Sequence, residues 1–537
     1  MTHGTDKNMQ KSDKVKETTV YLGFLAVSIT FMLIFSLWTS PVYKHWYGCD
    51  ASFFTLVGRG MLDGRIPYRD FYDLKGPYFF FIQALGQLIY RGRTGIFILQ
   101  TVALFLSLIL IYRIGLMFLS RGKALGVTAF FLWPYISMIW GGNCLEEFCL
   151  PLNMLAILLN LKLFAPVPAD IPDNTNDVMA KDQSIGNNIT ALITGICFGI
   201  MTFSKITAGA PLAGLIIGIF ILCLVRRKFK PLAFYMIYFI LGFLISVLPL
   251  LIYFGYYNSI LKMLYCTFIF GFKRSSDLSK VLSFDLEVKL SGVIFSIIFI
   301  LLHTFSRRSK SSTDDVCSDD TSEHTISDSK DMPVIPADLS ILLLPTCLVT
   351  YLALHLGDSF IYYFITGMPC LIVTIILFVK LYDPLILFKT LKQSLCWLLL
   401  FVFVFHYTKD SLGTIDAFIH RKDDTFHEGY YTNAMNMGTL IPEYDRGSVF
   451  SFDIDMQWYE INNIMPCNRY VINLQYFIAL EPPIEQELFD FLNLTPPKWM
   501  ICSNTLADYL PQMNEIIQAN YDCIYSTDIG SVYLLRK

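Results

Sequence analysis

Eleven runs of apolar residues, each close to the length of a membrane-crossing helix, dominate this 537-residue chain. They lie near 21–39, 95–119, 124–140, 148–164, 189–207, 210–225, 232–254, 288–305, 338–355, 360–380 and 391–408. A helix rises about 1.5 Å per residue, so crossing a hydrocarbon core of roughly 30 Å takes about 17–25 residues. Composition points the same way. Hydrophobic residues make up 54% of the chain and charged ones 16%, against about 25% charged in soluble proteins. The 45 Phe and 30 Tyr suit lipid-facing surfaces and interface belts. The expectation is an α-helical polytopic membrane protein with about eleven transmembrane helices, not a string of soluble domains. A net charge of −3 lacks the basic footprint of a nucleic-acid binder. The 13 Cys contain no CxxC pair at zinc-ligand spacing, which argues against a disulfide scaffold or a zinc module.

Charge placement then orients the spans. Lys7, Lys11, Lys14 and Lys16 precede the first run, which has no small-residue cleavage site and reads as an uncleaved signal anchor. The stretch from Tyr78 to Tyr90 would reach only about 20 Å as a helix, short of a span. Taken as a juxtamembrane helix, it leaves the N-terminal lysines, Arg121 and Lys123, Arg226-Arg227-Lys228 and Arg307-Arg308 all on the inner side, as the positive-inside rule expects. The first external loop then runs over 40–94 and carries Lys44, Arg59, Arg65, Arg69, Lys75, Arg91 and Arg93. Basic density on the outer side opposes that rule and calls for a functional reason. Two inner loops, 166–187 and the Ser/Asp-rich 309–336, read as linkers, the second as disordered. From about Lys409 the chain alternates strand-like pieces (448–454, 499–503, 524–525 and 532–535) with helical ones (484–492 and 506–518), which predicts a small α/β domain. The odd number of spans places that domain outside.

The first external loop concentrates the chemistry. In YGCDASFFTLVGRGMLDGRIPYRDFYDLKGPYFF, from Tyr47 to Phe80, Asp50 opens an amphipathic helix that ends near Gly64. The chain then turns back, and Asp70, Asp73 and Lys75 precede Gly76-Pro77. Carboxylates and cations thus meet at the bilayer surface. Asp50 by itself fits equally well a helix N-cap, where Asp is favoured.

An Asp just past the first span, then G-x-x-x-G-x-x-P-Y-x-D from Gly60 to Asp70, then a Lys before a Gly-Pro pair, resembles the membrane glycosyltransferases of the GT-C superfamily. The pattern is most similar to the branch of protein O-mannosyltransferases and lipid A aminoarabinose transferases. The resemblance is carried by residues 40–120, and over the rest by architecture. It implies a GT-C transmembrane catalytic domain over 1–408 and an extracytoplasmic soluble domain over 409–537. It also implies that Asp50 is the catalytic base and that Lys75 contacts the phosphate of a polyprenyl-phosphate sugar donor. An acid in the outer turn after the third span and a Lys after Thr in a later turn belong to the same pattern. Those places are held by Glu146 and Glu147 in GGNCLEEF and by Lys205 in Thr202-Phe203-Ser204-Lys205. Tyr68, Arg69, Asp70 and Asp73 share the loop and join the substrate-binding candidates.

His355 and Asp358 close the ninth span and could face an acceptor or a metal, or simply cap a helix. Lys262, Lys273 and Arg274 could hold a charged lipid head, or lie on a solvated face. No ligand set specifies a metal, so a divalent ion stays open, and no nucleotide fingerprint is present. The expected function is transfer of a sugar, hexose or pentose, from a polyprenyl-phosphate donor to a glycan, lipid or protein acceptor at the outer face. That transfer would invert the anomeric centre. The competing class is a transporter or lipid flippase, which would place its ionisable residues mid-span along a pathway.

Overall fold

The structure is a computed structural model that describes residues 2–164, 178–274, 284–304, 335–356, 360–382 and 390–536. Helices form over each apolar run: α1 (Thr2–Phe35), then α2 (Cys49–Leu62) and α3 (Pro77–Ile89) in the first loop, α4 (Arg93–Leu116), α5 (Arg121–Met138), α6 (Leu145–Phe164), α7 (Val178–Thr202), α8 (Ala210–Val225) and α9 (Phe229–Tyr256). Short helices α10 (Ile260–Leu264), α11 (Gly271–Arg274) and α12 (Phe284–Lys289) follow, then α13 (Ser291–Thr304), α14 (Ala337–Leu354), α15 (Met368–Leu381) and α16 (Leu391–Ile419). Tight 3-10 turns over Ile206–Gly209 and Ile361–Gly367 lead into α8 and α15.

Eight helices are long and apolar enough to cross a membrane among the described residues. Helices suit that solvent because they satisfy their own backbone hydrogen bonds. Three of the eleven expected spans fall short of that measure. The apolar parts Asn187–Thr202 and Ser291–Thr304 are shorter, and α5 opens on Arg121 and Lys123. The exposed face of α9 shows what the bundle meets. Phe234, Ile237, Ile240, Leu241, Leu244, Ile245, Leu248 and Ile252 stand open along it, an apolar stripe far beyond what a monomer exposes to water. Of the two inner linkers, 309–336 falls almost wholly outside the described residues, whereas 166–187 is described from Val178 onward, where α7 has already begun.

The chain beyond the bundle begins later than its composition indicates, because α16 continues to Ile419. After α17 (Thr425–Thr439), a four-stranded sheet forms from β1 (Val449–Phe452), β2 (Trp499–Cys502), β3 (Tyr521–Ser526) and β4 (Ser531–Leu535), in the order β1-β2-β4-β3. The β1–β2 pair is parallel and the others antiparallel. Around it lie α18 (Gln457–Ile461), α19 (Leu474–Leu480), α20 (Pro483–Leu494), α21 (Leu506–Tyr509) and α22 (Pro511–Asn520). One helix expected over Leu506 to Gln518 is split in two at Pro511, whose ring cannot continue a helix from the preceding turn.

This sheet does not hang free. Phe53, Phe54 and Val57 of α2 belong to the same buried cluster as Phe450, Trp458 and Met500 of the C-terminal part. Helix α18 lies directly on α2. The first-loop arginines strengthen that contact. Arg59 donates from Nη1 to Asn463 Oδ1 (2.6 Å) and from Nη2 to the Ile464 carbonyl (2.9 Å). Arg65 donates to the Pro466 carbonyl (2.5 Å). Arg93 gathers the carbonyls of Trp38, Tyr43, Lys44 and Trp46 and covers the Tyr47 ring at 3.8 Å. Much of the basic density of this loop is thereby spent on holding chain to chain.

Candidate functional site

Helix α2 ends in the turn that the sequence pattern marks. Gly64 takes the left-handed conformation (φ +85°) that closes a helix most cheaply without a Cβ. Beyond it, Asp70 Oδ2 accepts the Ile66 amide (2.7 Å) and pairs with Arg69 at the same distance. Tyr68 is itself left-handed (φ +67°), an uncommon state for an aromatic residue. Its hydroxyl donates to the Lys75 carbonyl (2.7 Å). Asp73 Oδ1 accepts the Lys75 amide (2.7 Å). Three of the substrate-binding candidates, Tyr68, Asp70 and Asp73, therefore shape the loop that presents Lys75.

Lys75 is only 7% exposed. Its Nζ stands 5.4 Å from the centre of the Phe54 ring and has no carboxylate partner among the described residues. Desolvating an ammonium without a counter-charge is costly, so the position favours an anion. The neighbouring Gly76 donates its amide to the Ser204 carbonyl (2.7 Å), and Tyr78 donates to Phe203 (3.3 Å). A Cβ on Gly76 would run into the Phe203 carbonyl. The Lys-Gly-Pro segment and the Phe203-Ser204-Lys205 turn are thus zipped together, and the missing side chain at 76 permits it.

Lys205 follows directly. Its Nζ lies 2.7 Å from Glu146 Oε1 and 3.0 Å from the centre of the Tyr363 ring. Glu146 is 2% exposed, and its second oxygen, Oε2, is buried with no hydrogen-bond partner among the described residues. Glu147 has a different part. Oε1 accepts the Cys144 amide of the turn (2.7 Å) and Oε2 accepts Gln100 Nε2 of α4 (2.9 Å), so both oxygens already have partners. Asn143, left-handed in that turn, exchanges hydrogen bonds with Gln83 of α3 and donates to the Ala51 carbonyl of α2 (3.2 Å). That last bond ties the Glu146 turn to the residue beside Asp50.

Asp50 is the second residue of α2, whose N-cap position belongs to Gly48. It is half-buried and makes no hydrogen bond or ion pair among the described residues. Its carboxylate lies within electrostatic reach of Cys144, Tyr362 and Asp455. Cys144 in turn feels Glu146, Glu147 and Lys205. The structure brings Asp50, Glu146, Lys205 and the Lys75 segment to one place, and adds Tyr362 and Tyr363, which sequence reasoning passed over. Their position in Phe360-Ile361-Tyr362-Tyr363 at the mouth of a span is a signal that could have found them.

The remaining candidates are elsewhere engaged. His355 Nε2 meets Glu287 Oε1 (3.2 Å) and its Nδ1 the Tyr351 carbonyl. Asp358 lies outside the described residues. Lys273 pairs with Glu481 (2.5 Å) and with the Tyr265 hydroxyl. No group of three or more His, Cys, Asp or Glu among the described residues is arranged to hold a metal ion.

No family model matches the sequence, and no curated protein matches it. Solved structures do match the fold. ArnT from Cupriavidus metallidurans bound to undecaprenyl phosphate superposes with a TM-score of 0.59 at 10% identity, over 96% of this chain and 98% of that one. The apo state of the same protein gives 0.58 at 12% identity, with the same coverage. The likeness spans both the helical bundle and the C-terminal part, and it identifies a GT-C fold.

Proposed function

We propose that this membrane protein is a glycosyltransferase that moves a hexose or pentose from a polyprenyl-phosphate donor to an acceptor hydroxyl, at the outer face of a cell membrane crossed about eleven times. The observation that carries the reading is the zipped pair of segments holding Lys75 and Lys205 beside Asp50. Lys75 has no carboxylate partner among the described residues, and a donor phosphate would supply a counter-charge. The fold neighbour in complex with undecaprenyl phosphate supports a lipid of that class.

In this reading the acceptor oxygen attacks the anomeric carbon as the bond from that carbon to the phosphate oxygen breaks. The electron pair leaves with the phosphate, where Lys75 and Lys205 stabilise the growing charge. Asp50 takes the acceptor proton, which asks for hydrogen-bond reach of about 2.6–3.2 Å to the attacking hydroxyl. A single displacement inverts the anomeric centre. Keeping the departing tail in the bilayer explains chemistry sited where helix ends and first loop meet.

The test is transfer by the purified full-length protein from radiolabelled undecaprenyl-phosphate hexoses and pentoses, with and without cell-envelope extract. Label moving to an acceptor, and lost in Asp50→Asn, supports the proposal. Label carried across proteoliposomes unchanged would support a flippase instead.

A further inference from the structure

Trp38 stands half-buried between the end of α1 and the start of α2, and its indole fills the space of two missing side chains. A Cβ on Gly48 would run into the Cδ2, Cε3 and Cε2 atoms of that ring, and a Cβ on Gly141 into Cε2, Cδ2 and Nε1. In both cases the nearest neighbours are indole atoms, so one flat side chain seats two backbones from distant parts of the chain. The ring is itself anchored at its main chain. The Trp38 amide donates to the Gly141 carbonyl (2.8 Å), and the Trp38 carbonyl accepts from Arg93 Nη1 (3.3 Å).

Each seated glycine leads directly to a carboxylate of the candidate site. Gly48 is the N-cap of α2: its carbonyl accepts the Ser52 amide (2.8 Å), and Asp50 lies in the turn so formed. Gly141 (φ +83°) belongs to the left-handed run from Trp140 to Asn143, after which Glu146 falls in the first turn of α6. A Cβ on Gly142 would meet Ser36 Oγ, so this turn lies flush on the end of α1. The Asn143 bond to the Ala51 carbonyl (3.2 Å) joins the same two segments a second time.

We propose that Trp38 is a positioning residue: its indole, seated against Gly48 and Gly141, sets the separation between Asp50 on α2 and the turn that carries Glu146. The consequence for turnover rests on the reading of Asp50 as base; the seat itself rests on the contacts. An indole is large and rigid, which suits a spacer. A misplacement of about 1 Å at a reacting group can cost about 10²-fold in rate, and removing the ring frees room for a shift of that size.

The experiment compares purified full-length wild type, Trp38→Phe, Trp38→Ala, Gly48→Ala and the Trp38→Ala/Gly48→Ala double variant. Turnover at saturating donor, undecaprenyl-phosphate binding and thermal melting are read on each. Gly48 has φ −107° and ψ 142°, a conformation open to alanine, so the indole is what opposes a methyl there. Trp38→Ala and Gly48→Ala should each lower turnover by about 10²-fold with lipid affinity unchanged. Trp38→Phe, which keeps a flat ring, should fall between Trp38→Ala and wild type. The double variant should be no worse than Trp38→Ala in turnover or melting, because the methyl then meets no ring. Wild-type turnover in Trp38→Ala, lipid affinity lost in step with turnover, or additive losses in the double variant would overturn the proposal. Should Trp38→Ala fail to fold, the Trp38→Phe background decides: Gly48→Ala must cost less turnover there than in wild type, and an equal cost overturns the role. The two readings fail separately. Coupled melting in a wild type that transfers no sugar removes the function, and the role with it, and leaves only the seat. Additive losses in a protein that transfers sugar and is silenced by Asp50→Asn remove the role of Trp38 alone.

Discussion

Gly76 and Ser204 are joined by a 2.7 Å backbone hydrogen bond, and that link sets Lys75 and Lys205 on adjoining segments although 129 positions of sequence separate Gly76 from Lys205. The approach is close enough that a single methyl at 76 would meet the Phe203 carbonyl. Gly76→Ala should therefore leave the bundle folded but spread the two segments. Undecaprenyl-phosphate binding should fall as far as in a lysine variant, which a lipid-binding titration on purified protein would show. Binding at the wild-type level would mean that the spacing of the lysines is not what the lipid reads.

The two lysines should behave differently when removed. Lys75 has no carboxylate partner among the described residues, so Lys75→Ala should cost lipid affinity and little stability. A charge-assisted contact is worth about 1.5–3 kcal/mol, roughly 10- to 150-fold. Lys205→Ala also strands Glu146, which is 2% exposed, and breaking a buried pair costs about 3–5 kcal/mol. Since Lys205 keeps some exposure, the lower end applies. Adding Glu146→Gln should restore the melting temperature without restoring lipid binding. Equal stability of both single variants would contradict this.

The C-terminal part should loosen when Arg59 is cut back. Arg59→Ala removes two hydrogen bonds from a charged donor, each worth about 1.5–3 kcal/mol before solvent screening at this half-buried site. Limited proteolysis of the full-length protein should then release a fragment beginning near α17. A cleavage pattern like that of the wild type would show that the shared apolar cluster suffices to hold the domain.

These points mark what could be read before the structure. Periodicity and run length predicted helices over all the apolar runs, because in lipid the backbone has few alternatives. The strands at Val449–Phe452, Trp499–Cys502 and Val532 onward sit where alternation put them. Asp50, Lys75, Glu146 and Lys205 were legible one by one from residue type and place. Their mutual arrangement was not: the Lys205–Glu146 pair spans 59 positions, and no local pattern encodes it. Gly76 read only as part of the Lys-Gly-Pro element, and the facing Phe203 carbonyl is what demands it. Arg59, Arg65 and Arg93 looked like charges awaiting a ligand, yet guanidinium forks satisfy backbone carbonyls as readily as phosphates, and composition cannot tell the two apart. Glu146 and Glu147 are adjacent and chemically alike. Only the fold shows that one faces Lys205 while the other closes a turn.

Topology should follow the parity of the spans. A reporter fused after Lys537 should read extracytoplasmic, and one inserted near Asp319 should read cytoplasmic, since the positive clusters fall between the same spans. Both reporters on one side would overturn the count of eleven and with it the outward-facing site.

Asp50 carries the most specific expectation. Gly48, not Asp50, occupies the N-cap position of α2, so Asp50 contributes to the helix chiefly as a charge in the first turn, about 0.3–1 kcal/mol. Asp50→Asn preserves shape and gives up the charge and the basicity. A base at this position predicts a folded, lipid-binding protein whose turnover drops by about 10²–10⁴, measured as label transferred under saturating donor. A purely helical role predicts a small stability loss with turnover intact. If Asp50→Asn keeps most of its turnover, the base has to be sought at Glu146 rather than at Glu147. Glu146 Oε2 is buried with no partner among the described residues, whereas both oxygens of Glu147 already accept hydrogen bonds from Cys144 and Gln100 and have little capacity left for an incoming hydroxyl.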